Sequence, residues 1–260
     1  AFFANELERA RAFQEEAVST LRQVGERWER QTSLMMQATG EFLHSRFRTA
    51  VALYEQMGTI GVELNALMHQ GWAHSWAPMC RYLMGEGDVG ELCAELEQGL
   101  RISEEVADLA NQCASLNHLA NVTVREHQVE EAALVAVRCF KSIWSYQVLV
   151  PFLQVGLVDA AEAALFALEE GATVVPRKEL LKIVRLSCIK ARVIARLYPY
   201  LKGPALRVTA RSLALRKGPK AAEPVFLEAI AVLEKSPNRW ETGVAYFDAA
   251  VALPHRREDF

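Results

Sequence analysis

The sequence predicts an all-α fold of stacked antiparallel helix hairpins, on three observations. Gly supplies only 14 of 260 positions and Pro 9, while Ala fills 38 and hydrophobic residues make up 51%, a balance that favours helix over strand or loop. Apolar residues recur at i, i+4 and i+7, the spacing of one helical stripe. These trios return every 40 to 42 residues over the first half of the chain, and self-similarity at such a period marks a repeat architecture.

Two kinds of helix alternate. Second helices carry a small residue, a bulky one four later and a small or medium one three after that, whereas first helices carry a large, small, large stripe. The chain opens on a second-type helix with Ala10, Gln14 and Ala17. Leu34, Ala38 and Phe42 then define a first helix, paired with Ala50, Tyr54 and Met57. Trp76, Cys80 and Leu83 define the next, in which Pro78 is expected to mark a kink or a start because it lacks a backbone donor. Its partner carries Leu92, Leu96 and Gly99, where Leu92 and Gly99 depart from the usual alanines. Leu116, Ala120 and Thr123 pair with Ala132, Ala136 and Cys139. Val148, Leu149 and Phe152 pair with Ala161, Leu165 and Leu168, which is read as a second helix. No clear trio stands between Ala161 and Ala222, so an irregular long helix pair is expected around Arg177 to Tyr198. Leu206, Ala210 and Leu213 with Ala222, Phe226 and Ala229 make the last hairpin. Small residues at the crossing points let paired helices approach closely.

Glu16, Ala17, Leu21, Arg27, Trp28 and Glu29 recur as Glu228, Ala229, Leu233, Arg239, Trp240 and Glu241, every one displaced by 212. The Ala222-x-x-x-Phe226-x-x-Ala229 helix with Ser236-Pro237-Asn238 after it, and the Trp76…Cys80…Leu83…Gly87-Asp88-Val89 turn, resemble tetratricopeptide repeats of a long-helix kind. The Ala17-Leu21-Gly25-Trp28-Glu29 joint is similar to those in the C-terminal repeat regions of large bacterial signalling ATPases and MalT-like regulators. The resemblance implies a right-handed superhelix of helix hairpins, an α-solenoid, forming one repeat domain over residues 1–260 with an irregular basic segment at 177–220. It further implies that first helices line a groove in which Asn and Arg hold a bound peptide. Asn117, Asn121 and Arg125 form such a polar ladder, with Arg81, Tyr146, Arg207 and Arg211 on equivalent strips.

His69, Trp72, Trp76 and Cys80 share one helical face, which fits either a packed aromatic seam or a small-ligand pocket of the kind the likeness to MalT-like regulators implies. Two soft ligands on one helix do not close a tetrahedral metal site, so no metal is assigned. Gly85-Glu86-Gly87-Asp88-Val89-Gly90 spells G-x-G-x-x-G, but it follows a helix, whereas the dinucleotide fingerprint needs a preceding strand. The chain lacks H-E-x-x-H, P-loop, G-x-S-x-G and kinase signatures. No catalytic residue and no cofactor is therefore expected, and the chain is read as no enzyme.

A formal charge of −3 conceals two opposed fields. Residues 177–220 carry +12 and the remainder −15. Within that window Lys178, Lys182, Arg185, Arg192 and Arg196 recur at helical spacing beside Leu181, Val184, Cys188 and Leu197, which describes a basic amphipathic helix. It is expected to meet the acidic remainder of the chain or an acidic neighbouring domain, the alternatives being an acidic protein, nucleic acid or an anionic membrane surface. Five cysteines without a C-x-x-C pair read as buried small hydrophobes in a reducing compartment. The N-terminal region has no signal-peptide pattern, and the uncharged run from Ser142 to Val158, broken by Gln, Pro and Gly, does not read as a transmembrane segment. Starting at Ala1 just ahead of a second-type helix, the chain reads as a fragment of a longer multidomain protein. The expected function is a cytoplasmic protein or peptide interaction, scaffold or sensor domain of a larger regulatory protein.

Overall fold

The computed structural model describes residues 7–145 and 154–260. Among them are twelve α-helices and no strand: α1 (Leu7–Gln23), α2 (Arg27–Leu43), α3 (Phe47–Glu63), α4 (Leu67–Leu83), α5 (Val89–Glu105), α6 (Leu109–Arg125), α7 (Val129–Ser145), α8 (Val155–Glu169), α9 (Arg177–Ile194), α10 (Lys202–Lys217), α11 (Pro219–Leu233) and α12 (Arg239–Ala252), with 3₁₀ turns at Pro199–Leu201 and Pro254–Asp259. This is the all-α repeat of helix hairpins expected from the trios. The chain divides into two compact units, one reaching Val122 and one running from Thr123 to Phe260, with the division inside α6. The expected Val148, Leu149 and Phe152 stripe, like Tyr146, lies outside the described residues.

The joints explain the regularity. Each of the first six helices ends with a residue in the left-handed region, at Gly25, Ser45, Asn65, Gly85, Ala107 and His127, with φ from 52° to 75°. The next residue's N–H then reaches back five positions to a carbonyl of the last helical turn, as in Arg46 to Glu41 (2.9 Å), Ala66 to Gly61 (2.7 Å), Asp108 to Ser103 (2.8 Å) and Gln128 to Thr123 (2.9 Å). This pairing satisfies carbonyls that a helix end otherwise leaves open. Only two of the six positions are glycine, so the turn signal is concealed at Ala107 and His127.

The trios stand where the helices cross. Ala50, Tyr54 and Met57 of α3, Ala132, Ala136 and Cys139 of α7, and Ala222, Phe226 and Ala229 of α11 are all fully buried. A Cβ placed on Gly99 of α5 falls 2.5 Å from Ser75 Oγ and 3.0 Å from the backbone of His74 and Ser75 on α4. What looks like a departure from the alanine pattern is a close approach of two helix backbones that leaves no room for a Cβ.

Two expectations need correction. Ala161, Leu165 and Leu168 lie on α8, which packs between α7 and α9; the alternation of hairpins makes it a first-type helix. Residues 156–168 of α8 are all buried, so no single stripe distinguishes its type. The expected irregular pair is one ordinary helix of 18 residues, α9. Of the two alternatives for Pro78, a start is excluded, since it lies inside α4, a first helix, as expected. All five cysteines are free, and all but Cys93 are buried. No described helix is long and apolar enough to cross a membrane.

Candidate functional site

In the second unit the first-type helices turn one stripe each toward a shared pocket of about 640 Å³. Glu162, Phe166 and Glu169 come from α8, Arg211 and Ala214 from α10, and Trp240, Val244, Phe247 and Val251 from α12, with Val124, Arg125 and His127 from the end of α6 and the joint after it. The α8 and α12 residues repeat the i, i+4, i+7 spacing that aligns side chains on one face, and the α10 pair stands at i, i+3 on the same kind of stripe. The walls are apolar, and Phe247 and Val251 are 69% and 66% exposed. The guanidinium of Arg125 lies 5.1 Å from the Trp240 ring centroid, within cation–π range.

Under the apolar walls lies a charged floor. Arg207, 1% exposed, donates through Nη2 to Glu162 (2.7 Å) and through Nη1 to Asp248 (2.7 Å), and its Nε stands 3.6 Å from Glu241. Arg211 donates to Glu169 at 2.6 Å and approaches Glu162 and Asp248 at 3.8 and 3.7 Å. Burial alone would raise the Glu162 carboxyl; Arg207, Arg125 and Arg211 overcome this and hold it at about 2. Burial likewise opposes the charge on Arg207, but Glu162, Glu241 and Asp248 raise its pKa well above the usual arginine range. Glu241 goes the other way: burial lifts its carboxyl, and the pull of Arg207 and Arg125, opposed by the nearby Glu162 and Asp248, does not offset it. A charge this deep is tolerated because both terminal nitrogens of Arg207 donate to carboxylates, while its Nε, 3.6 Å from Glu241, makes no hydrogen bond.

Arg125 and Arg211, nominated from the sequence as groove contacts, both line this pocket. Arg207 is also there, but as the buried centre of the floor and not as a solvent-facing contact. Arg81 is half-buried on α4 and pairs with Glu95 (2.5 Å) and Glu55 (3.3 Å). Asn117 is buried, and Asn121 donates to the Asn117 carbonyl at 3.1 Å. His69, Trp72 and Trp76 are core residues of the first unit, all buried. Trp76 packs against Phe42, Tyr54, Trp72 and His118 at centroid distances of 4.6 to 6.1 Å. Trp72 donates from its indole to Asp108 at 2.7 Å, and His118 donates from Nδ1 to the Ser75 carbonyl at 2.8 Å. The packed seam, one of the two alternatives for this face, is what the structure contains.

Sequence reasoning misses Glu162, Phe166 and Glu169 as lining residues because it reads α8 as the wrong helix type, and Trp240, Val244, Phe247 and Val251 because it defines no trio on α12. One signal was available. The pairs Arg207–Glu162, Arg211–Glu169 and Arg207–Asp248 are separated by 45, 42 and 41 residues, one repeat period, so opposite charges on matching stripes of successive first helices mark the floor.

The basic face is exposed, and the first contact expected of it, with the acidic remainder of the chain, is not made among the described residues. Lys178, Lys182, Arg185 and Arg192 are exposed on α9 and Arg196 in the turn just after it, and none forms an ion pair with a described residue. The Gly85–Gly90 stretch joins α4 to α5, with the Asp88 side chain accepting from the Glu91 N–H at 3.0 Å to cap α5. Among the described residues no group of three or more His, Cys, Asp or Glu is arranged to hold a metal ion. No protein-family model matches the chain, and no curated protein matches its sequence.

Proposed function

We propose that this chain is a non-catalytic binding module of tetratricopeptide-like hairpins, and that the pocket on α8, α10 and α12 receives the bulky apolar side chains of a partner peptide. The observation that carries this reading is the α12 stripe. Trp240, Val244, Phe247 and Val251 present an apolar row to the pocket, with Phe247 and Val251 more than half exposed. Leaving such a row in water forgoes about 25 cal/mol per Å² of apolar surface, and patches of this kind commonly mark interaction sites. The charged floor supports binding over chemistry, since its arginines and carboxylates are engaged with one another.

The test is selection of a random 12-residue peptide library against the whole chain, followed by binding measurements on the Phe247→Asp and Val251→Asp variants. Both positions are exposed, so the fold tolerates the change and melting curves verify it. Selected peptides rich in bulky apolar residues, with affinity lost by at least about tenfold in both variants, are expected. Peptides that bind wild type and variants alike defeat the proposal.

A small apolar ligand is the second reading, favoured by a pocket volume within the range of about 300–1,000 Å³ typical of small-molecule sites. It predicts a metabolite that raises the melting temperature of the wild type and not of Trp240→Ala. The wider role, as the docking or sensing region of a larger cytoplasmic regulator, rests on the resemblance of the joint residues to MalT-like regulators.

A further inference from the structure

A second surface lies on the opposite type of helix and shares no residue with the pocket. Val137, Phe140 and Lys141 of α7, Pro176 ahead of α9, and Lys178, Glu179, Leu181, Lys182, Ile183, Arg185 and Leu186 of α9 enclose a groove of about 890 Å³. Its floor is apolar and its rim holds four cations against the single carboxylate of Glu179. None of those four cations forms an ion pair with a described residue. Farther along α9, Ile189, Arg192, Val193 and Arg196 line a second cleft of about 620 Å³, where Lys202 pairs with Glu228 at 3.5 Å.

The order of these residues is informative. Lys178, Lys182, Arg185, Ile189, Arg192 and Arg196 follow one another in alternating steps of four and three. That rhythm keeps side chains along a single line of a helix, and it is the rhythm at which one helix meets another. From Lys178 to Arg192, within α9, the line runs about 21 Å at 1.5 Å per residue, and Arg196 follows in the turn after the helix. Ile189 and Val193, 54% and 55% exposed, interrupt the cations with apolar surface. Five exposed cations with no ion pair to a described residue set up a local positive potential that attracts an anionic partner.

We propose that the exposed face of α9, with the α7–α9 groove, docks an acidic amphipathic helix whose carboxylates follow the same four–three rhythm and whose apolar side chains enter the groove floor. Charge complementarity sets the partner's sign, the rhythm sets its secondary structure, and the apolar floor separates it from other polyanions. A bilayer is flat on this scale and cannot fill an 890 Å³ groove. The exposed aromatic beside the groove, Trp144, is already occupied, stacked on Phe140 at 5.1 Å with Lys190 4.8 Å from its centroid, which removes the open stacking platform that single-stranded nucleic acid uses.

The experiment measures fluorescence anisotropy of the whole chain with a labelled 21-residue peptide carrying glutamates in the four–three rhythm and leucines beside them. The comparison probes are its glutamine counterpart, a 20-nucleotide oligouridine, and vesicles of phosphatidylcholine with 30% phosphatidylserine. The glutamate peptide is expected to bind. Its affinity is expected to drop at least about tenfold in high salt, as the Debye length shortens from about 10 Å toward 3 Å, and at least about tenfold in Lys182→Glu/Arg185→Glu/Arg192→Glu. A lysine version of the peptide is expected to bind that triple variant, which separates lost docking from lost folding. The proposal is overturned by an absence of peptide binding up to millimolar concentration, by equal binding of the glutamate and glutamine peptides or of wild type and variant, or by oligouridine or vesicles binding through these cations when the peptide does not.

Discussion

Arg207 shows how much one side chain holds in place here. It bridges α8 to α12 through separate nitrogens on Glu162 and Asp248, and removing it leaves buried carboxylates facing one another. Arg207→Met is expected to destabilise the chain by about 3–5 kcal/mol, the usual result of breaking a buried pair on one side only. Arg207→Lys is expected to recover little of that, because one ammonium cannot replace a fork with two directions; urea denaturation of the three proteins measures both. The same cluster sets an acid limit. Glu162 is held at about 2 against an ordinary value of 4.5, so below pH 4.5 the unfolded chain takes up a proton that the folded chain refuses. Its contribution is therefore complete above pH 4.5 and is lost as pH falls toward 2. Thermal melts between pH 7 and 2.5 are expected to show Glu162→Gln well below wild type at neutral pH, with the two curves converging in acid. Wild type and variant separated by the same margin at every pH would disprove this assignment. The sequence places Arg207 on a first-helix strip as a groove contact, but not its burial or its carboxylate partners, which lie 41 and 45 residues away.

At the scale of elements, the left-handed joint and the helix crossing are the recurring devices. Ala107 occupies a left-handed joint with φ 54°, where its Cβ crowds the following carbonyl. Ala107→Gly is expected to stabilise the first unit by about 1 kcal/mol, seen as a rise in melting temperature. Gly99→Ala is expected to act in the opposite sense, costing about 1–3 kcal/mol, because its Cβ meets the backbone of His74 and Ser75. A neutral result would mean that α4 and α5 separate freely. Helix existence and crossing residues were legible because both depend on local spacing. The trios at Ala50, Leu92, Ala132 and Ala222 could be read directly, and each lies buried in a helix interface. The joints at Ala107 and His127 were not legible, since neither residue type announces a positive φ. The type of α8 was also hidden, because its alanine-rich surface is buried from Gly156 to Leu168 and one stripe looks like another.

For the whole molecule, net charge is a poor guide to what the surface presents. A chain of charge −3 and isoelectric point about 6.1 still displays an unpaired cationic line on α9. It is expected to be retained on a cation-exchange resin at pH 7.5, with Lys178→Glu/Lys182→Glu/Arg185→Glu flowing through; retention of that variant would put the cationic surface elsewhere. The basic window divides in two. Cations of α9 face solvent, whereas Arg207 and Arg211 of α10 are drawn into the floor of the pocket. Sequence position alone treats the two groups alike. The sequence by itself determined helix content, the 40-residue period, the crossing residues and the existence of a cationic helix face, all properties of residues within a few turns of one another. Only the tertiary structure decided which helices face the pocket, which arginines are buried, and that Trp240 meets Arg125. Those depend on partners a full repeat or more away, and a spacing rule that repeats every turn carries no information about which turn of another helix will lie opposite.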